Sequence, residues 1–262
     1  MAGLDVIDIA IAPPDALEES LVEKVAAIIN KDIYGTRLQL AGKIPRIIAR
    51  HQNAEVAKAM VQNLSALGIV AFMYKHSELL KPSVGPFRAH SLKRMEGKVT
   101  FWDNSSVERS IQTGNVFLIL QGTIQTYIEN ESTKTRMKFS LPRTILLGGI
   151  PVWRPVKEKT KDVAVQTVCF IRLYERSSME PSIEILQHNF DYSFLGQKMT
   201  SSSLPNLSAT AAELRNAFPR AAFDDRLTRS LGASIPFPSP EDSIETNCRL
   251  IYLYYQAVSS YG

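Results

Sequence analysis

The stretch PRIIARHQNAEVAKAMVQNLSALGIVAFMYK, Pro45–Lys75, decides how the first third of this chain folds. It is typical of a strand, a helix and a second strand, with Asn53 as a suitable helix N-cap and Gly68 as the helix end. Between these two residues, apolar side chains recur at spacings of three and four, which buries one helix face: Ala57, Met60, Val61, Leu64 and Leu67. The pattern predicts a packed scaffold and not a working site.

Three further elements are predicted before this stretch. Asp5–Ala12 alternates well enough for a strand, and a short helix is expected from Thr36 to Ala41, ending at Gly42. Between them an apolar stripe predicts a helix, with its members at Leu17, Leu21, Val25, Ile28 and Ile29. The order β-α-α-β-α-β predicts a compact two-layer sandwich of helices on a small sheet.

This order, together with the residues TRLQLAGKIPRIIARHQNAEVAKAMVQNLSALGIVAFMY at Thr36–Tyr74, resembles a known fold. It is similar to the C-terminal domain of the bacterial ribosomal stalk protein, a fold shared by the adaptor of the Clp protease. The stalk family meets translation factors through a Gly-Leu-Gly-Leu-Lys turn, where this chain has the residues 31–35, KDIYG. The adaptor's Asn-Asp after its first strand is replaced by residues 12–15, APPD. The resemblance therefore implies the fold and neither family activity.

After a linker expected at His76–Pro86, short β-rich runs alternate with turn residues, such as Thr113-Gly114-Asn115 and Glu131-Ser132. About six or seven antiparallel strands predict a small barrel or curled sheet. The rhythm resembles a pleckstrin-homology-like barrel, which one C-terminal helix closes. The segment Pro181–Phe190 is placed to be that helix.

The last part of the chain is expected to be mainly helical. A Ser-rich loop precedes a helix near Ala209–Phe218, a second helix is expected at Ala221–Leu231, and PFPSP at 236–240 is a hinge or stiff linker. A final helical stripe contains Ile244, Cys248, Ile251 and Tyr255. The predicted fold class is α+β: a stalk-like sandwich at 1–80, an antiparallel barrel-like domain at 86–190 and a helical region at 191–262.

The totals are those of an ordinary globular protein. The 262 residues are 45% apolar and 21% charged, with a net charge of +4. Cys169 and Cys248 lie in apolar runs, which favours buried free thiols over a disulfide or a metal site. We expect no signal peptide and no transmembrane segment, and we predict a cytoplasmic location.

No motif for a cofactor or a metal stands out. The four histidines, His51, His76, His90 and His188, have no paired spacing with one another or with a cysteine, and no Gly-rich phosphate loop occurs. We therefore expect no cofactor and no metal ion.

Two acidic segments invite a catalytic interpretation. Asp224 and Asp225 are expected on a helix surface, paired with Arg226 and Arg229, because helix neighbours point about 100° apart. In HNFDYSFLG the Ser, His and Asp are too close in sequence for a typical triad. The aromatic residues of the predicted strands are expected in the core: Phe101, Trp102, Tyr127, Phe139, Phe170 and Tyr174.

The most unusual feature is the segment Lys134–Lys161, called here the basic segment. It has eight basic residues and a single acid, a net charge of +7, whereas Met1–Asn30 has a net charge of −5. The first three basic residues alternate and would share one strand face, and WRPVKEKTKD is expected to be a loop. The eight are Lys134, Arg136, Lys138, Arg143, Arg154, Lys157, Lys159 and Lys161. Such a cluster needs solvent or an anionic partner, or it protects an edge strand against aggregation.

Three functions remain open at this point. The first is a non-enzymatic binding or adaptor protein with a protein partner. The second is binding of nucleic acid, phosphate or an anionic surface through the basic segment. The third is an enzyme whose site is assembled only in space.

Overall fold

The computed structural model describes residues 5–14, 16–82, 85–139, 153–228 and 243–261, with the backbone alone for 125–139, 153–166 and 261. Its contacts divide the chain into two units. One unit comprises residues 1–123 together with 169–262, and the other comprises residues 124–168.

The first sheet of the larger unit is formed by the N-terminal residues. Its strands are β1 (Ile7–Ile11), β2 (Arg46–His51) and β3 (Ala71–Lys75), in the antiparallel order β2-β1-β3. The helices between them are α1 (Glu19–Ile29), α2 (Ile33–Leu40) and α3 (Ala54–Ala66). This confirms the predicted order β-α-α-β-α-β.

The sequence explains both the start of the helix α3 and its buried face. The Asn53 side chain accepts a hydrogen bond from the Glu55 amide at 2.9 Å, as expected for an N-cap. Ala57 and Leu64 are fully buried and pack with Ile9 and Ile11 of β1. One face of the sheet is thereby covered.

The expected linker after β3 is partly structured. Residues His76–Leu79 form a short helix, α4. Leu79 is only 1% exposed, and the His76 amide donates to the Val6 carbonyl at 2.7 Å. The linker prediction is wrong for these four residues, because a buried leucine anchors them.

Two further sheets follow in the described part of the chain. The strands of the larger sheet are β4 (Phe87–Ala89), β8 (Val116–Phe139), β9 (Trp153–Glu175), β10 (Ile183–Leu186) and β11 (Ala222–Leu227). Those of the smaller sheet are β5 (Ser91–Met95), β6 (Lys98–Trp102) and β7 (Glu108–Gln112). The larger sheet has the order β11-β8-β9-β10-β4, and the smaller, antiparallel sheet has the order β5-β6-β7.

A second core lies between these sheets and two helical elements. These elements are a 3₁₀ helix, Ser193–Lys198, and α5, Ser203–Ala217. Phe101 of the smaller sheet, Ile171 of the larger sheet and Leu207 of α5 have no exposed surface in this core. The helix α5 begins at Ser203, inside the expected Ser-rich loop, so the prediction for that segment is wrong.

The last helix, α6 (Ile244–Tyr261), confirms the prediction of a final packed helix. Its Leu250 packs with Ala10, Phe72 and Tyr74, which lie on the face of the first sheet opposite α1 and α3. The first sheet is therefore covered on both faces, and the two-layer sandwich expected from the sequence has a third layer.

The smaller unit contains the later part of β8, residues 124–139, and the earlier part of β9, residues 153–168. The turn predicted at Glu131-Ser132 lies inside β8 and is wrong. The sequence predicts several short strands in this region, whereas the backbone forms parts of two long strands, β8 and β9. The hinge expected at 236–240 lies outside the described residues.

Three other predictions are also wrong. The strands of the described ranges form open sheets, with no closed barrel. Pro181–Phe190 is not a closing helix, since it contains β10, whose Ile183 and Ile185 are buried between β9 and β4. Within the helix expected at Ala221–Leu231, residues 222–227 instead form β11, whose backbone pairs in parallel with β8, and residues 229–231 lie outside the described residues.

Candidate functional site

The described parts of the basic segment, residues 134–139 and 153–161, are extended backbone. Lys134, Arg136 and Lys138 lie on β8, as predicted. The expectation of a loop at Trp153–Asp162 is wrong, because β9 begins at Trp153 and carries the other four described basic residues: Arg154, Lys157, Lys159 and Lys161. Arg143 lies outside the described residues, and so do the side chains of the other seven. The face that they share therefore stays a prediction.

A buried carboxylate near the N-terminus pairs with a histidine. Asp8 of β1 has no exposed surface, and its side chain lies 2.8 Å from His76 Nδ1 and accepts from Arg50 Nε at 3.1 Å. The neighbouring Ser77 hydroxyl donates to Asp5 at 2.8 Å and not to the histidine. The cluster therefore joins β1 to β2 and α4, and its only sequence signal is an aspartate inside an apolar strand.

The segment with Asp191 and Ser193 forms a turn. Asp191 accepts hydrogen bonds from the Ser193 amide at 2.9 Å and from the Ser193 hydroxyl at 2.8 Å. The backbone bond, followed by the side-chain bond, lowers the pKa of Asp191. The Ser193 hydroxyl is thus held by a carboxylate at the start of the 3₁₀ helix, and the lowered pKa of Asp191 makes that carboxylate a weak general base.

The adjacent carboxylates of β11 do not converge on one point. Successive strand residues point to opposite faces, so buried Asp224 and exposed Asp225 are separated. Asp224 accepts from Arg226 Nε at 2.8 Å, which confirms the expected pairing with Arg226. Arg229 lies outside the described residues.

Most of the aromatic predictions can be checked. Phe101, Phe170 and Tyr174 are buried, as expected, and Trp102 is half-buried. The side chains of Tyr127 and Phe139 lie outside the described residues. Phe101, Phe170 and Tyr174 therefore act in the core.

A buried ionic network joins the larger sheet to α6. Arg172 of β9, 3% exposed, donates to Glu184 of β10 at 2.9 Å and to both carboxylate oxygens of Glu245 at 2.7 Å. Its Nη1 also lies 3.4 Å from the Cys248 sulfur. Sequence reasoning missed this network, whose members lie as far as 76 positions apart.

The two cysteines are free thiols. Cys248 is buried, as predicted, whereas Cys169 is half-buried. Burial raises the pKa of the Cys248 thiol to about 12, although the Arg172 guanidinium opposes this shift. Among the described side chains, no three potential metal ligands cluster. The Cys248 thiol is thus buried beside the charged side chains of Arg172 and Glu245.

The helix α2 presents an unusual exposed surface, called here the α2 patch: Ile33, Tyr34 and Leu38. Their side chains are 46%, 73% and 53% exposed, respectively. Thr36 and Leu40 of the same helix are buried, so one face of the helix is fixed, and the exposed face carries the α2 patch together with Arg37. Sequence analysis marked residues 31–35 only as a departure from the stalk family.

Basic side chains border the α2 patch. Arg46 donates to the Leu38 carbonyl at 3.3 Å, and Lys31 donates to Gln39 at the same distance. Arg37 is paired with Glu19 at 2.9 Å. The patch is therefore apolar at its centre and more basic than acidic at its border.

Comparisons with protein-family models, with curated proteins and with solved structures gave no match. No helix within the described ranges is long and apolar enough to span a bilayer. The chain is an α+β protein with an N-terminal β-α-α-β-α-β sheet.

Proposed function

We propose that this protein is a non-enzymatic binding module that docks another protein through the α2 patch. The observation that carries the proposal is the exposure of Tyr34 and Leu38 on one helix face, since positions i and i+4 are neighbours. Contiguous exposed apolar groups with a polar border mark interaction surfaces. The proposal involves no reaction and no cofactor, and the cytoplasmic location stays a prediction from the sequence.

The chemistry of the border defines the partner. Tyr34 and Leu38 supply apolar contact area, and aromatic residues at the centre of an interface often dominate its affinity. Lys31 and Arg46 would steer an acidic surface toward the patch. We therefore propose a protein partner with an apolar surface bordered by carboxylates.

A site-specific photo-crosslinking amino acid at position 34 tests this proposal. We expect one discrete protein adduct, which is then purified for binding measurements. Tyr34→Ala should weaken that binding by about tenfold or more, as for a central interface residue. Leu204→Ala is the matched control, because Leu204 is a similarly exposed apolar residue on α5, 49% exposed. Equal adducts from probes at positions 34 and 204, or unchanged binding by Tyr34→Ala, would refute the proposal.

Binding of a polyanion through the basic segment is the second candidate. It is favoured by the placement of seven of its eight basic residues on two strands, β8 and β9, that are neighbours in one sheet. Neighbouring strands lie about 4.8 Å apart, so their charges accumulate on a small area. The corresponding experiment is a charge reversal of Lys157, Lys159 and Lys161 on β9.

A further inference from the structure

A pocket of about 380 Å³ lies between the smaller sheet and the helical elements that cover it. Strands β5 and β6 form one side, and the 3₁₀ helix and α5 form the other. Its apolar lining consists of Leu92, Val99, Phe194, Leu195, Leu214 and Ala217. The volume is near the lower end of the range for small-ligand sites. The pocket therefore suits a small compound with an apolar body.

The charged side chains around this pocket are mostly basic. Lys198 donates to Glu213 at 2.7 Å across the wall, so these two charges neutralise each other. Arg94 and Lys93 are exposed, and neither has a carboxylate at ion-pair distance among the described residues. Among the described residues of its border, the pocket thus has two cations without a carboxylate partner, and its carboxylate, Glu213, is paired.

Strand geometry singles out Arg94 from the two cations. Alternate residues of a strand share a face, so Arg94 lies on the same face of β5 as Leu92 of the pocket floor. Lys93 is expected on the other face, together with Thr100, its partner in the register. The guanidinium of Arg94 is therefore the group best placed to meet an anion whose apolar part lies in the pocket.

We propose that this pocket binds a small amphipathic anion, an apolar body with one terminal carboxylate or phosphate. The body would displace water from the apolar lining, and Arg94 would donate two parallel hydrogen bonds to the oxyanion. This goes beyond the proposed docking function and does not depend on the α2 patch, because the two surfaces share no residue.

Calorimetric titration of the full chain tests the proposal with four probes: octanoate, octyl phosphate, octylamine and inorganic phosphate. We expect saturable binding of octanoate or octyl phosphate with one site per chain, and the tighter of the two identifies the head group. Octylamine lacks the anion and inorganic phosphate lacks the apolar body, so neither should bind. No saturable binding of either amphipathic anion would overturn the proposal, and so would equal binding of octylamine.

Three variants assign the binding to this pocket. Arg94→Gln should weaken the binding of the preferred anion by about tenfold, because a charge-assisted hydrogen bond is lost. Arg109→Gln is the matched control, since Arg109 is an exposed arginine on β7 of the same sheet that does not line the pocket. Ala217→Leu should also weaken this binding, because the larger side chain takes up part of the pocket. Unchanged affinity in Arg94→Gln, or the same loss in Arg109→Gln, would show that the anion binds elsewhere.

Discussion

At the scale of single residues, Leu64 tests the packing of the first core. Leu64 of α3 has no exposed surface, whereas its neighbour Asn63 is exposed. We expect Leu64→Ala to lower the free energy of unfolding by about 2–5 kcal/mol, because the substitution leaves a cavity. Asn63→Ala should change it by less than about 0.5 kcal/mol, as surface substitutions usually do. Urea unfolding followed by circular dichroism measures both, and similar midpoints for the two variants would contradict the assigned helix face.

The Cys248 thiol provides a test by pH. Burial raises the pKa of this thiol to about 12. The reactive thiolate is therefore scarce in the folded protein at neutral pH. In the unfolded chain, by contrast, the thiol has a pKa of about 8.5. In a Cys169→Ala background, native Cys248 should react with a disulfide reagent at least about 100-fold more slowly than the unfolded chain at about pH 8. The rate should rise with pH toward 12. Rapid modification of the folded protein would contradict the assignment.

At the scale of elements, the anchoring of α6 depends on Arg172. Arg172→Met would leave Glu184, 3% exposed, with the mostly exposed Arg88 as its remaining ionic partner among the described side chains. Removing one partner of a buried ion pair costs about 3–5 kcal/mol, so the free energy of unfolding should fall by that amount. Glu245→Gln should cost less than about 1 kcal/mol, because the Glu245 side chain is 44% exposed. Urea unfolding distinguishes the two, and equal losses would mean that Arg172 is not the centre of the network.

Long elements with regularly spaced apolar residues could be predicted from the sequence, whereas short elements could not. The helices α1, α3 and α6 carry apolar stripes, which local periodicity reveals. The strands β10 and β11 are short and contain charges whose burial depends on partners in other elements, as for Glu184 with Arg172. Short segments of this kind leave helix and strand ambiguous.

The candidate surfaces differ in the same way. The basic segment is visible as composition, because its charges are contiguous in sequence. The α2 patch cannot be recognised from composition, because its exposure depends on how the other elements pack around α2. The pocket near Arg94 combines residues from positions 92 to 217, so only the folded chain brings them together.

At the scale of the whole molecule, the first sheet depends on the last helix. Phe72, Tyr74 and Leu79 lie on the face covered by Leu250 of α6. We expect a fragment of residues 1–81 to fold cooperatively, as the sequence predicts, but with this apolar face exposed. A peptide of residues 243–261 should therefore raise the melting temperature of the fragment, because it binds only the folded form. The same peptide with Leu250→Asp is the control, and equal effects of the two peptides would refute specific docking.

The last prediction concerns the basic segment. Reversal of Lys157, Lys159 and Lys161 to Glu should weaken binding to a polyanion and reduce its salt dependence, because fewer condensed counterions are released. DNA, RNA and anionic vesicles are the probes, at low ionic strength, and circular dichroism should show an unchanged fold.

Reversal of Lys24, Lys43 and Lys58 is the matched control, since these exposed residues of the larger unit give the same change in net charge.

An acidic protein surface would also be steered by the field of the basic segment, so salt dependence alone does not identify the partner. The acidic segment Met1–Asn30 offers such a group in its exposed residues Glu18, Glu19 and Glu23, which a second copy of the chain would also present. If the wild type binds none of the three probes, or if the two triple variants bind equally, local charge at β9 does not select a polyanion. The charge of the basic segment would then act as a solubility feature, and the protein-docking proposal would remain.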